Sequence, residues 1–320
     1  MRELTIGKND AGQRLDRFVS KALPLLPPAL MQKYIRIKRI KCNGQRCQRD
    51  QRLQTGDVLQ LYINDEFFDV PREDNLFLTL FKPQLTILYE DEHILLLDKR
   101  PGVVVHADEA EKVNTLINHI CAYLYQKREW NPRWENAFTP ALCNRIDRNT
   151  GGIVIAAKTA EALRILNDKI RNREITKRYL CVTVGRPNPA EGRIECFLLK
   201  DEAKNEVKVH RRPVPGGKTA ITLYRTIETR GELSLVEAEL LTGRTHQIRA
   251  SLSHIGCPLL GDGKYGRGEI NRRYNETRQA LYSCYLRFDF PTEAGILEYL
   301  RGQAFQVETV PFAAKYFAKN

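Results

Sequence analysis

No segment of the 320-residue chain is apolar over the length that a membrane-spanning helix needs, and the opening stretch MRELTIGKNDAGQR lacks the hydrophobic core of a secretion signal. Both absences point to the cytoplasm. The eight cysteines, at 42, 47, 121, 143, 181, 196, 257 and 284, form no C-x-x-C pair and no zinc-finger spacing, so reduced and mostly buried thiols are expected. Internal repeats and low-complexity tracts are also missing. His246 and His254 stand eight residues apart, which does not bring them to one metal-binding face of a helix, and no acidic cluster accompanies them. Helix capping and loop packing are the roles expected of both, without a metal. The stretch GDGKYG at 261–266 is glycine-rich but lacks P-loop spacing, so it reads as a pocket wall and not as a triphosphate cradle.

What is present describes a folded protein with a polyanionic partner. Hydrophobic residues make up 42% of the chain and charged residues 28%, which leaves little room for extended disorder. The length suits one large domain joined to a small one. The formal net charge is +12 and the isoelectric point is near 9.3. Clustered lysine and arginine gain affinity for phosphates by releasing condensed counterions. They are densest between Met31 and Arg52, where Lys33, Arg36, Lys38, Arg39, Lys41, Arg46, Arg49 and Arg52 meet a single acid, Asp50. A solvated helix face beside a basic strand edge is the plainer alternative for that segment.

Local patterns place the elements. Leu15, Phe18, Val19, Ala22 and Leu23 recur at helical spacing, with Arg14, Asp16 and Arg17 on the solvated face. Pro24, Pro27 and Pro28 end that helix, and Leu30, Tyr34, Ile35 and Ile37 suggest a second. Asn43-Gly44 suits a tight hairpin turn and Thr55-Gly56-Asp57 another, before VLQLYI closes as a strand. Residues 64–88 mix acids, prolines and aromatics and read as a linker. Beyond Tyr89, buried strands are expected within LYEDEHILLLDK, VVVH and GGIVIAAK. TAEALRILNDKI predicts a helix with Leu163, Leu166 and Ile170 on one side and Thr159 as N-cap. KRYLCVTVG, KTAITLYRTIE and LSLVEAELL predict strands, and THQIRASLSHI a helix bearing Ile248, Leu252 and Ile255, closed by Gly256 and Pro258. Trp130 and Trp134, flanking Pro132, suit packing or contact with RNA.

The stretch NRIDRNTGG at 144–152 sets an arginine and a carboxylate immediately before an apolar run. Asn149-Thr150-Gly151-Gly152 is a turn signal, so Asp147 belongs to a loop feeding a strand, where functional side chains are commonly held. A turn-making aspartate is the local alternative. Similar letters at Arg14-Leu15-Asp16-Arg17 fall on the helix face described above.

Four ordered segments give these letters a context. YEDEHILLLDKRPGVVVH at 89–106 resembles the first segment of RluA-type RNA pseudouridine synthases. NRIDRNTGGIVIAAK at 144–158 resembles that family's H-R-L-D-x-x-T-S-G motif with its apolar continuation and A-K. KRYLCVTVG at 177–185 is similar to its K-x-Y motif, and GRTHQIRASLSHIGCPLLGDGKYG at 243–266 to its third motif. The chain departs from the pattern at Asn144 for His, Ile146 for Leu, Gly151 for Ser, and Arg100 within K-P-x-G. In front, two short helices, a basic N-G hairpin and a T-G-D strand over roughly residues 12–63 resemble the alpha-L RNA-binding module of a small-subunit ribosomal protein.

The resemblance implies an α+β pseudouridine synthase fold, with a mixed, largely antiparallel sheet flanked by helices and loops, preceded by a small α/β RNA-binding module. The implied divisions are a module over 1–63, a linker over 64–88 and a catalytic domain over 89–320. It also implies an isomerase that breaks the bond from ribose to the uracil nitrogen, turns the ring and rejoins it through carbon. Nothing is oxidised, hydrolysed or lost, so no metal or organic cofactor is expected. Asp147 is the implied nucleophile, and Arg249 the cation that favours the ionised form of a carboxylate beneath an RNA base. Tyr179 is implied to stack on the uracil, since a phenol with an ordinary pKa of about 10 is a weak base at neutral pH. Arg145, two residues from Asp147, is expected on the same strand face, filling the space left by a flipped uridine; an exposed ion pair with Asp147 is its alternative.

Arg36, Lys38, Arg39 and Lys41 are expected to bind RNA. The partner is structured RNA, large-subunit ribosomal RNA ahead of transfer RNA, and the enzyme is expected to be a monomer with no membrane attachment. Two rival readings are an RNA-binding ribosome-assembly factor that has lost the chemistry, opposed by retained Asp147, Tyr179 and Arg249, and an aspartate-dependent glycosidase, which needs a second carboxylate that the motif lacks.

Overall fold

The computed structural model describes residues 1–68 and 76–318. Its first part contains β1 (Arg2–Thr5), α1 (Leu15–Ala22), α2 (Pro28–Arg36), β2 (Ile40–Cys42), β3 (Gln45–Arg46) and β4 (Val58–Leu61). The second contains β5 (Ile87–Glu90), β6 (Ile94–Lys99), α3 (Leu116–Gln126), β7 (Ala141–Leu142), β8 (Gly151–Ala157), α4 (Ala160–Arg171), β9 (Ile175–Val184), β10 (Glu191–Asp201) and β11 (Glu206–His210). It continues through β12 (Lys218–Arg230), β13 (Leu233–Leu240), α5 (Gln247–His254), α6 (Gly268–Arg273), β14 (Leu281–Phe288), β15 (Ala304–Gln306) and α7 (Pro311–Phe317).

In the first part the strands form a small sheet in the order β1-β4-β2-β3. Leu15, Phe18, Ile40, Leu59 and Leu61 are buried beneath the two helices. Asn43 (φ 52°) and Gly44 (φ 74°) both take the left-handed conformation of a two-residue hairpin turn between β2 and β3, as the N-G signal predicts. Arg14 pairs with Asp16 on the outer side of α1, so this copy of the R-L-D-R letters is a helix face. Ile37 departs from expectation. It follows the last residue of α2 and is exposed, while Tyr34 and Ile35 carry the buried face.

The large sheet runs β11-β10-β12-β13-β9-β14-β8-β6-β5, with β15 on β14 and β7 on β8. Every pairing is antiparallel except β8 with β14. The sheet is therefore mixed and largely antiparallel. Its one parallel junction depends on glycine: a Cβ on Gly151 would lie 2.3 Å from the Tyr282 ring, and one on Gly152 (φ 107°) 2.1 Å from the Ser283 carbonyl oxygen. These glycines were read both as the end of the Asn149–Gly152 turn signal and as the start of the GGIVIAAK strand. They begin β8, as the strand reading has it, and the turn closes earlier, where Thr150 N donates to the Asp147 carbonyl at 3.0 Å.

VVVH is likewise not a ladder strand, because its carbonyls at Val104 and Val105 accept the first N–H groups of α3. Thr159 caps α4 as predicted, accepting from Ala162 N. Within the expected linker, residues 69–75 lie outside the described residues, while Phe77 is buried against Trp130 with ring centroids 5.4 Å apart. Trp130 thus packs, whereas Trp134 is exposed. All eight cysteines are free thiols and seven are buried. The two parts meet where Asn136 Nδ2 donates to the Thr5 carbonyl and to Asp10 Oδ2, and Asn9 Nδ2 to Glu135 Oε1. Among the described residues no helix is long and apolar enough to cross a membrane.

Candidate active site

Asp147 stands on the irregular segment that feeds β8, at the junction with β14 and β9. Its Oδ2 accepts from Arg249 Nη1 at 2.8 Å. Arg249 comes from α5, more than a hundred residues away in sequence. A second carboxylate orients it: Arg249 Nε donates to Asp262 Oδ2 at 2.7 Å and Nη2 to Asp262 Oδ1 at 2.9 Å, a bidentate pair. Asp262 Oδ1 also accepts the Lys264 and Tyr265 N–H groups. Side-chain exposure falls from 28% at Asp147 to 7% at Arg249 and 0% at Asp262, so the pair is anchored inside and presented outward. Burial works against the charge on Arg249, yet the Asp262 and Asp147 carboxylates raise its pKa above the ordinary value. Burial likewise opposes ionisation of Asp262, and Arg249 with the two N–H donors holds its pKa low.

The helix bearing Arg249 is locked in place by its first residue. Gln247 Nε2 donates to the Ile221 carbonyl and to Thr222 Oγ1 on β12, and its Oε1 accepts from Thr242 Oγ1 and Arg244 N. The helix starts at Gln247 and not at Thr245, because His246 adopts a left-handed conformation (φ 52°, ψ 23°). The capping role expected of His246 is not observed, since its side chain caps no N–H. Its Nε2 lies 3.9 Å from Asp147 Oδ2 and its Nδ1 2.9 Å from the Tyr265 hydroxyl. The GDGKYG segment therefore does more than line a wall: it supplies Asp262, and Tyr265, over whose ring the Arg249 guanidinium sits at 5.2 Å.

Beneath the turn, Lys99 is buried and its Nζ donates to the carbonyls of Arg100, Val103 and Arg148. It ties the segment after β6 to the residue following Asp147. Burial pushes its pKa down to about 7, although Asp147 and Asp98 favour the charged form. Asn144, where the motif has histidine, accepts from Ile155 N and donates to the Ile153 carbonyl, fastening the loop to β8.

Tyr179 lies on β9 opposite Ser283 of β14 and Ala238 of β13. Burial pushes its phenol up to about 12, the Asp147 charge adding to the rise. Arg145 is exposed, and no ion pair ties it to Asp147 among the described residues. The remaining predicted residues lie on the N-terminal sheet and helices. Arg36 lines a groove of about 730 Å³ with Lys33, Arg46 and Arg49. Lys38 is exposed, Arg39 sits 5.5 Å from the Tyr34 ring centre and Lys41 5.4 Å from that of Tyr62. The structure thus brings together Asp147, Arg249 and the surroundings of Tyr179, and keeps the four basic residues on the N-terminal part. Sequence reasoning missed His246, Gln247, Asp262, Tyr265 and Lys99. The available signal was their place in the chain, since Lys99 falls within the 89–106 segment and the other four within the 243–266 segment. Among the described residues no group of three or more His, Cys, Asp or Glu could hold a metal ion.

A large mixed sheet flanked by helices, beside a small N-terminal antiparallel sheet, is an α+β architecture shared with solved RNA-modifying isomerase domains. A family model described as RNA pseudouridylate synthase matches residues 93–254, a span that contains Asp147, Tyr179 and Arg249. The chain belongs to that family and is an RNA pseudouridine synthase, an isomerase of uridine. An uncharacterized RNA pseudouridine synthase of Mycoplasma genitalium is 34% identical over 290 residues, covering 88% of each chain. Ribosomal large subunit pseudouridine synthase D of Escherichia coli is 30% identical over 300 residues, covering 90% of this chain and 86% of that one. Among solved structures, human RNA pseudouridylate synthase domain containing 4 superposes with a TM-score of 0.54 at 21% identity, over 71% of this chain and 89% of that one, a likeness of fold.

Proposed function

We propose that the protein converts uridines of large-subunit ribosomal RNA to pseudouridine, with Asp147 as the reacting carboxylate and without a cofactor. The observation carrying this reading is the inequality of the two Asp147 oxygens. Oδ2 takes the Arg249 bond, whereas Oδ1 accepts no hydrogen bond among the described residues and belongs to a partly exposed side chain. The isomerisation breaks C1′–N1, turns the uracil and forms C1′–C5; the C5 proton leaves and N1 takes one up. Atoms and electrons balance without a redox partner, so the chemistry asks for one open carboxylate oxygen and a held base. Tyr179, protonated at neutral pH, serves as a stacking surface. Arg145, free of an ion pair with Asp147, offsets part of the roughly few kcal/mol lost when the uridine leaves its stack. The groove around Arg36 holds RNA backbone.

The ribosomal substrate is supported by relatives named for the large subunit that align over most of both chains. RNA carrying tritium at uracil C5 should release its label with the native protein and at least about a thousandfold more slowly with Asp147→Asn. Equal release would end the nucleophile reading. Pseudouridine maps of RNA from cells with and without the protein should differ within large-subunit ribosomal RNA; a difference confined to transfer RNA would overturn the substrate.

A further inference from the structure

His246 is aimed at Asp147, and none of the roles above uses it. Its ring is 7% exposed, turned inward by the left-handed backbone that precedes α5. Its ring nitrogens face two different partners. Tyr265 Oη accepts the Val207 N–H at 2.8 Å, and the only other polar atom bonded to it among the described residues is His246 Nδ1. If the phenol gives its one proton to Nδ1, the imidazole hydrogen is on Nε2, the atom 3.9 Å from Asp147 Oδ2. His246 and Arg249 therefore address the same oxygen.

We infer that His246 is a positioning residue for the isomerisation, donating from Nε2 toward Asp147 Oδ2 so that the carboxylate plane presents Oδ1 to the RNA. The inference rests on the reading of Asp147 as the reacting group. The separation of 3.9 Å is longer than a hydrogen bond, and such contacts tighten when substrate closes the site. Burial lowers the His246 pKa; Asp147 and Asp262 pull it up, Arg249 and Lys264 push it down, and the ring is neutral at neutral pH. A neutral donor steers the carboxylate without adding a second cation that would blunt it.

The test measures steady-state tritium release with full-length His246→Leu and His246→Gln. Leucine fills the space without a donor, while glutamine supplies an N–H and an oxygen for the Tyr265 proton. The leucine variant should lose about tenfold or more in kcat with KM within about twofold, and glutamine should restore most of it. Equal loss in both variants means packing alone and overturns the inference, as does an unimpaired leucine variant or a change confined to KM. If the leucine variant does not fold, Tyr265→Phe decides, because it withdraws the proton that fixes the tautomer. A several-fold fall in kcat at constant KM is expected there, and an unchanged kcat refutes the role. Asp147→Ala measured alongside separates the two claims: if it retains activity, the nucleophile reading fails, whatever His246 does.

Discussion

Asp262→Asn tests whether Arg249 serves Asp147 only because another carboxylate holds it. In the native protein Asp262 accepts four N–H groups, from Arg249 Nε and Nη2 and from the backbone of Lys264 and Tyr265. An amide oxygen at the Oδ1 position keeps three of them, but the amide nitrogen then meets Arg249 Nε–H donor to donor. Removing one charge of a buried pair costs about 3–5 kcal/mol, and the three surviving bonds put this variant at the lower end, about 3 kcal/mol. For a chain of this size each kcal/mol lowers the melting temperature by about 1.5 °C, so calorimetry should show a fall of about 4–5 °C. The freed guanidinium no longer points at Asp147, and loss of one oriented electrostatic partner slows tritium release about a hundredfold. A native melting temperature would refute the buried-pair energetics. Full activity at reduced stability would refute the claim that Asp262 aims Arg249.

Lys99 predicts a pH dependence of stability. Its folded pKa of about 7 lies below the ordinary lysine value, so between about 7 and 10 the unfolded chain binds the extra proton, and stability rises with pH across that window. Urea midpoints of Lys99→Met should lack this rise; a profile parallel to the native one would show that Lys99 is not the source. The groove predicts a salt effect. Replacing Arg36 and Arg49 together by glutamine should reduce the slope of log affinity against log salt by up to about 2, at about 0.7–0.9 per phosphate contact. An unaltered slope on large ribosomal RNA fragments would remove the groove from the binding surface.

The parts of this molecule that could be read from the chain are those whose cause is local. The N-G hairpin needs two left-handed residues and nothing else, and α4 carries its cap and stripe within its own sequence. VVVH misled because apolar β-branched residues satisfy a strand pattern wherever their carbonyls go, and here those carbonyls end on α3. Gly151 and Gly152 read both as turn and as strand, because the reason for them lies on β14, whose Tyr282 and Ser283 occupy the space of any side chain. The site divides the same way. Asp147, Tyr179 and Arg249 were named through motif resemblance, while Asp262 and Lys99 were not, because a buried charge and a loop charge are the same letter until tertiary contacts separate them.

That separation also decides which carboxylate is left open. Two aspartates share one guanidinium, so the cluster of Asp147, Arg249 and Asp262 carries a formal surplus of one negative charge. Asp262 is fully enclosed, takes both remaining arms of the fork and is further satisfied by two backbone N–H groups, so the surplus is not on its side. It falls to Asp147, with one arm of Arg249 and an oxygen left over. A carboxylate whose charge is only half compensated repels an approaching RNA backbone; of the two exposed arginines on its own segment, Arg148 is paired with Asp108, whereas Arg145, two residues away, has no ion pair among the described residues. On the proposed reading, an arginine there screens the phosphates while the pyrimidine passes beneath them, and the surplus charge stays on Asp147 for bond formation.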